Sequence, residues 1–358
     1  MNLFAVGSYT HSLTHVPDAR GKGVSLIGLN DQQALNTLCV NDLVENPTYL
    51  VWDRSRQLLV SACEAGTHPG RLDLFSLEQQ RTLAHHQTCL GNSHDACHIN
   101  LSANHSVLVT ASYGGGQISA FSFDNNDNLK YSGCYCYSGF DNGQTEHKAS
   151  HAHQTMPSPD SGNLYVCDLG SDTIWMHSPV SLPSLSQDSL CTVALKLAPE
   201  YGPRHLLFHP ELPLVYILCE HKPAIVIAKI SVNDTLQVIG EIPSMDESGP
   251  IRQNVSPAGI KLHPSGNTLV VSNRFHDTVS VFKINSTDGL LFFSGEYDCG
   301  GKTPRDIEFS GDGSLLLIAN QDSHRVTSLQ FNKTSGLCTG VHGPSIDTGS
   351  PVCLIRLS

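Results

Sequence analysis

One unit repeats along this chain: a proline or alanine, a strand-like run, a tight turn and a second, more apolar run. The anchors are Pro47 (NPTYLVWDRSRQLLVSACE), Ala96 (DACHINLSANHSVLVTASY), Ala152 (HAHQTMPSPDSGNLYVCDL), Pro203, Pro257 (SPAGIKLHPSGNTLVVSNR), Pro304 (TPRDIEFSGDGSLLLIANQ) and Pro351 (SPVCLIRLS), at intervals of 47 to 56 residues. That period belongs to propeller blades. The fourth unit is the clearest. It reads Gly202-Pro203-Arg204-His205-Leu206-Leu207-Phe208-His209-Pro210, then Leu214 to Cys219 and Glu220. Its second run is apolar at almost every position, as a strand buried on both faces must be. A hairpin lays the start of one strand beside the end of the next, so Arg204 and Glu220 meet on one rim.

The turns between runs, such as Ser158-Pro159-Asp160-Ser161-Gly162 and Ser310-Gly311-Asp312-Gly313, carry the residues that tight hairpins require. Each full unit continues into a third strand of alternating character (Gln117–Phe123, Val279–Ile284, Val326–Phe331) and a less regular fourth. Four strands per unit make a blade. The seventh unit has only its first strand, Cys353–Leu357, while the chain opens with Leu3–Ser8, Val24–Leu29 and Leu35–Val40, which lack one. Joined, they complete a blade and close the ring, which removes exposed sheet edges. The expectation is an all-β seven-bladed β-propeller of four-stranded antiparallel blades, one domain over residues 1–358, its terminal strands sharing a blade.

Composition narrows the function. Charged residues make up 15% of the chain, and Gly, Pro, Ser, Asn and Asp are plentiful, which suits strands and turns. A net charge of −12 offers no basic stripe for nucleic acid. No apolar run reaches the length of a membrane span, and the start MNLFAVGSY lacks the basic region and apolar core of a signal peptide. The twelve cysteines, Cys134 and Cys136 among them, show no paired CxxC spacing. They read as buried, reduced thiols of a cytoplasmic protein, in which sequons such as Asn100-Leu101-Ser102 carry no glycan.

In a propeller the starts of the first strands and the ends of the second strands share one face around the central channel. The first set forms a ring of Thr48, Cys97, His153, Arg204, Ala258, Arg305 and Val352; the second, of Glu64, Tyr113, Leu169, Glu220, Arg274, Gln321 and Ser8. A bare scaffold would repeat itself at these positions. Instead His, Arg and Glu concentrate on blades three to five, with Arg305 on blade six. Guanidiniums hold carboxylate or phosphate through forked hydrogen bonds and stabilise the oxyanion of ester hydrolysis. An imidazole takes a proton from water near neutral pH. Structural readings compete: His153 as a hydrogen-bonded strand residue, Arg204–Glu220 as a rim ion pair, Arg274 as a surface side chain, Arg305 as a structural one. His151 reads as structural, and Asp168 and Asn273 as bonding loop backbone.

The nineteen histidines, His85, His86, His94, His98, His147 and His151 among them, show no zinc-site spacing, and calcium-type carboxylate loops are missing. No Gly-x-Ser-x-Gly elbow offers a serine nucleophile. Gly114-Gly115-Gly116 follows a strand with no helix after it, so it is a turn and not a phosphate loop. No metal and no cofactor is expected.

At Gly202-Pro203-Arg204-His205 with Phe208-His209-Pro210, at Cys219-Glu220, at Asn273-Arg274 and at His153 ahead of Ser158-Pro159-Asp160, the chain resembles the bacterial 6-phosphogluconolactonase family of seven-bladed propellers. That family is related to the fungal 3-carboxy-cis,cis-muconate lactonizing enzyme. The resemblance covers nearly the whole chain. It implies a small-molecule lactone with an anionic group, 6-phosphogluconolactone above all, hydrolysed without cofactor. It also implies His153, Arg204, Glu220 and Arg274 as catalytic residues and Arg204, Arg274 and Arg305 as substrate-binding ones, with either His153 or Glu220 as the base. Two alternatives stand beside it: a carboxymuconate cycloisomerase using the same site, and a non-catalytic binding propeller, which 7% aromatics, mostly in strand runs, support poorly. The segments Thr10–Lys22 and Gln144–His151 match nothing in the family and are expected to border the channel mouth.

Overall fold

The computed structural model describes residues 2–30, 32–64, 70–79, 81–92, 94–137, 149–248 and 254–358. Seven antiparallel sheets follow one another along the chain. The innermost strands are Pro47–Asp53, Ala96–Leu101, Ala152–Pro157, Pro203–Phe208, Ser256–Leu262, Pro304–Phe309 and Pro351–Arg356. Each begins at or beside its sequence anchor. The last pairs with Asn2–Ser8, from Phe4 opposite Arg356 to Ser8 opposite Pro351, so the two ends of the chain share blade seven as expected. Blade six departs from the four-strand pattern, because Cys338–His342 and Ile346–Asp347 both pair with its third strand. Among the described residues the helical element is a single 3₁₀ segment, Pro179–Ser184.

The apolar second strands find partners on both sides. On Leu214–Cys219, Val215, Ile217 and Cys219 pack with blade-three residues such as Tyr165 and Cys167, while Tyr216 and Leu218 pack with blade-five residues such as Leu269 and Val271. Alternate side chains of a strand point to opposite faces, so one run serves two interfaces. The same arrangement recurs between every neighbouring pair of blades. It includes blades six and seven, where Phe4 and Val6 meet Leu315 and Leu317, and blades seven and one, where Leu3 and Ala5 meet Leu59 and Phe75. The core is thus a circle of inter-blade layers, each of which needs both neighbours.

Each innermost strand also slips register at the same point. Pro203 pairs with Cys219 and His205 with Leu218, which leaves Arg204 opposite nothing. His153, Arg305, Thr48 and Cys97 are skipped in the same way on their own blades. Blade five slips between Pro257 and Ile260, and the closing blade skips Val352. A bulge of this kind inserts one residue and turns its side chain out of the pleat. Here it sets the ring read from the sequence at the channel mouth.

Candidate active site

Blade four shows how the chain sets the site. Gly202 lies at φ +61°, and its carbonyl accepts the Glu220 N–H at 2.7 Å. A Cβ at this position would stand 2.7 Å from Nδ1 of His221, so glycine alone fits the turn. The turn places Arg204 and Glu220 side by side. Nε of Arg204 stands 2.9 Å from Oε2 of Glu220, off the N–H axis, so the contact is an ion pair and not a hydrogen bond. Nη2 of Arg274, from blade five, reaches the same oxygen at 2.8 Å. Further contacts fix both guanidiniums: Nη1 of Arg204 donates to the Ala258 carbonyl at 2.6 Å, and Nε and Nη2 of Arg274 donate to the carbonyl and Oγ of Ser256 at 3.2 and 2.6 Å. Burial alone would raise the Glu220 pKa; Arg274 and Arg204 overcome it and hold the carboxyl at about 2. Burial, with Arg274 alongside, lowers Arg204 to about 10, which leaves it charged at neutral pH.

His153 and Arg204 line one small cavity together with Cys97, Glu64 and Arg305. Its free volume of ≈ 10 Å³ is about that of one water. Burial holds the His153 imidazole well below its ordinary pKa; Arg204, Arg305 and Arg274 add to the effect and Glu220 opposes it. The ring is therefore neutral at physiological pH, and its buried Nδ1 has no hydrogen-bond partner among the described residues. Tyr113 flanks it at 5.9 Å and is itself stacked on His151 at 4.3 Å. His151 Nδ1 is bonded to the Tyr113 carbonyl at 2.8 Å, the structural part expected of it.

The second ring needs one correction. Tyr9, not Ser8, is the blade-seven counterpart of Glu220: Tyr9 N–H donates to the Ser350 carbonyl as Glu220 N–H donates to Gly202. Its hydroxyl donates to Oε2 of Glu64 at 2.7 Å and stands 3.1 Å from Nε2 of His15, which lies 3.3 Å from Oε1 of the same carboxylate. His15 belongs to the Thr10–Lys22 segment, which thus does border the mouth. Burial would raise Glu64, but His15, Arg305 and Tyr9 outweigh it and keep the carboxyl below its ordinary value. Arg305, with its Cζ 5.4 Å from the Tyr9 ring centre, makes one hydrogen bond to the described residues, Nη1 to Gln321 at 3.0 Å. Of the three guanidiniums it keeps the most donors unengaged.

Beneath this layer the channel is packed with rings. Tyr49 lies 4.1 Å from His98, His98 5.7 Å from His205, and His205 5.3 Å from His153. Burial, reinforced by Arg204, keeps His98 and His205 well below their ordinary pKa, and burial lowers His177 to about 4. Below pH 6.5 the unfolded chain takes up protons that these folded imidazoles refuse, so stability is lost as pH falls from that value. The loss is about 1.4 kcal/mol per pH unit for each ring that stays neutral. Denaturant titrations at pH 7.5 and 5.5 are expected to show a clearly lower midpoint at the acid pH; equal midpoints would contradict the buried neutral rings.

Other expectations resolve plainly. Asp168 accepts the His151 and Ser171 N–H groups and the Trp175 indole, and Asn273 holds Ser244 and Ser280; both are structural. All twelve cysteines are free, six of them buried and six partly exposed, so burial holds for half. Gly114-Gly115-Gly116 lies in a turn. His147 and Gln144–Lys148 lie outside the described residues. Among the described residues no cluster of three His, Cys, Asp or Glu is arranged to hold a metal, and no helix is long and apolar enough to cross a membrane.

Two guanidiniums sharing one carboxylate, a third with open donors and an uncharged imidazole are suited to opening an ester. The seven-bladed β-propeller lactonase family matches residues 4–356. A 6-phosphogluconolactonase of Formosa agariphila is 25% identical over 341 residues, 92% of this chain and 93% of its own. The 6-phosphogluconolactonase of Bacillus subtilis is 23% identical over 320 residues, 86% of each chain. The fold matches that of a periplasmic gluconolactonase of Pseudomonas aeruginosa with a TM-score of 0.86 at 20% identity, covering 100% and 99% of the two chains. This chain therefore belongs to the seven-bladed β-propeller lactonase family and is a lactone hydrolase, a carboxylic ester hydrolase by class.

Proposed function

We propose that the protein hydrolyses a sugar lactone bearing an anionic group, 6-phosphogluconolactone first among them, by metal-independent attack of water. The observation that carries this reading is the gathering of Arg204, Arg274 and Arg305 around a neutral His153, on a chain whose net charge is −12. An acidic surface repels an anionic substrate, so a local group of guanidiniums must recruit it. His153 takes a proton from a water beside it as the water adds to the carbonyl carbon. Arg204 and Arg274 receive the charge that builds on the carbonyl oxygen; as that charge returns to re-form the carbonyl, the ring C–O bond breaks and His153 gives its proton to the departing ring oxygen, which yields the hydroxy acid and the neutral imidazole. Arg305 holds the anionic group. A cytoplasmic location is part of the proposal, because free thiols suit a reducing compartment.

Proton release from freshly prepared 6-phosphogluconolactone, compared with the spontaneous rate, tests the reading, with gluconolactone and a cis,cis-muconate absorbance assay alongside. Acceleration of the phosphorylated lactone is expected. Turnover of the muconate alone would make the protein a cycloisomerase, and turnover of nothing would end the enzymatic reading. Arg305→Gln is expected to raise KM for the phosphorylated lactone about 10- to 100-fold, the value of a charge-assisted hydrogen bond. The same change should leave KM for gluconolactone nearly unaltered. Equal effects on both substrates would remove Arg305 from the anion site.

A further inference from the structure

Blade five leaves the channel mouth differently from the five other blades whose counterpart lies among the described residues. The residue after the second-strand end is Gly114, Gly170, His221, Asp322 and Thr10 on blades two, three, four, six and seven, and none of these has a positive φ. On blade five it is Phe275, at φ +65° and 64% exposed. A bulky aromatic residue in the left-handed region is a true outlier, since its Cβ crowds the backbone there. Such strain persists where the surroundings impose it, and it gathers at ligand sites. The local geometry shows what it achieves. The next residue, His276, turns inward, with Nε2 2.7 Å from Glu296, while the phenyl ring is thrown outward. The ring centre comes to rest 6.0 Å from Cζ of Arg274, whose Nη2 pairs with Glu220 at 2.8 Å. Burial cannot account for this residue, because its ring stays in solvent.

We propose that Phe275 is a specificity-determining residue of the lactonase: its ring is the platform for the C–H face of the sugar lactone while the guanidiniums take the polar groups. The inference rests on the hydrolytic reading above. The face of an aromatic ring is electron-rich, and the C–H bonds of a saturated, oxygen-bearing ring carry partial positive charge, so the two faces attract and exclude water together. A platform beside Arg274 would orient the carbonyl toward that guanidinium and favour cyclic polyol esters over open-chain esters of equal charge.

The test is Phe275→Gly, with Phe275→Tyr as the conservative control, each measured for kcat, KM and thermal midpoint on the lactone that the wild type turns over best. Glycine accepts φ +65° freely and the lost ring was exposed, so the variant is expected to melt no lower than wild type. Its KM is expected to rise about five- to tenfold with kcat nearly constant, the range of one aromatic face contact. Phe275→Tyr keeps the wild-type KM. A purely structural Phe275 would give the opposite pattern, a lower midpoint with KM unchanged, and that result overturns the assignment. So does an unchanged KM at any midpoint. A wild type that turns over no sugar lactone overturns this inference and the hydrolytic reading together; an active wild type with an indifferent Phe275→Gly variant overturns this one alone.

Discussion

Glu220→Gln is expected to destabilise the fold by about 3 kcal/mol at pH 7 and to lower activity in parallel. The substitution keeps the shape and an oxygen for the two arginines but removes the charge. Arg204 and Arg274 are 4% and 8% exposed and meet on one carboxylate oxygen. Without the anion, two buried cations face each other uncompensated, and breaking a buried ion cluster from one side costs several kcal/mol. The depressed pKa gives the same scale independently. A carboxyl held at about 2 against an ordinary 4.5 stabilises the folded state by about 3 kcal/mol above pH 4.5. That contribution is lost as pH falls from about 5 toward about 2, so the gap between wild type and variant should close over that window. Urea titrations of both proteins at pH 7, 4 and 3 check it. Equal midpoints at pH 7 would mean that solvent, not Glu220, balances the guanidiniums.

The blade architecture was legible because a propeller repeats its physics. Each hairpin needs the same turn chemistry and the same doubly buried second strand, so Pro203 to Glu220 read correctly and the other units could be aligned on it. Ring closure was legible because Cys353–Leu357 lacked a partner and Leu3–Ser8 lacked a first strand. The alignment slipped only at that joint. The repeat puts Ser8 where Tyr9 belongs, because the N-terminal strand carries no anchor of its own and its partner lies at the far end of the chain. Placing it requires the hydrogen bond from Tyr9 to Ser350, a pairing that the sequence does not display.

Convergence of His153, Arg204, Glu220 and Arg274 was also readable, since it follows from hairpin pairing. The bulges that aim the first-ring residues were not. A bulge is a registry defect set by the pairing of two strands, and nothing in Pro203-Arg204-His205 signals that Arg204 has no partner opposite. Nor did the sequence reveal how the donors are shared. Arg204, Arg274 and Arg305 are alike as letters, yet two are held against Glu220 and one is nearly free. His15 escaped notice for a related reason: it meets Glu64 across 49 positions, through a loop that no repeat governs.

We propose His153 as the base, and His153→Asn is expected to lower kcat about 10²- to 10⁴-fold with little change in KM. Glu220 is the weaker candidate, because its Oε2 is already engaged by two guanidiniums, at 2.9 and 2.8 Å. His153 is kept neutral by burial and by Arg204, so its lone pair is available throughout the neutral range. Its Nδ1, unpartnered among the described residues, and the water-sized cavity that it lines fit a residue that waits for a proton. The pH profile separates the two candidates. With His153 as base, kcat/KM is flat through neutral pH and falls only well below 6.5, once the imidazole is protonated, and the acid limb disappears in His153→Asn. Lactones open spontaneously in alkali, so each point requires its own enzyme-free rate. A His153→Asn protein with wild-type kcat, beside a Glu220→Gln protein that has lost it, would transfer the base role to the carboxylate.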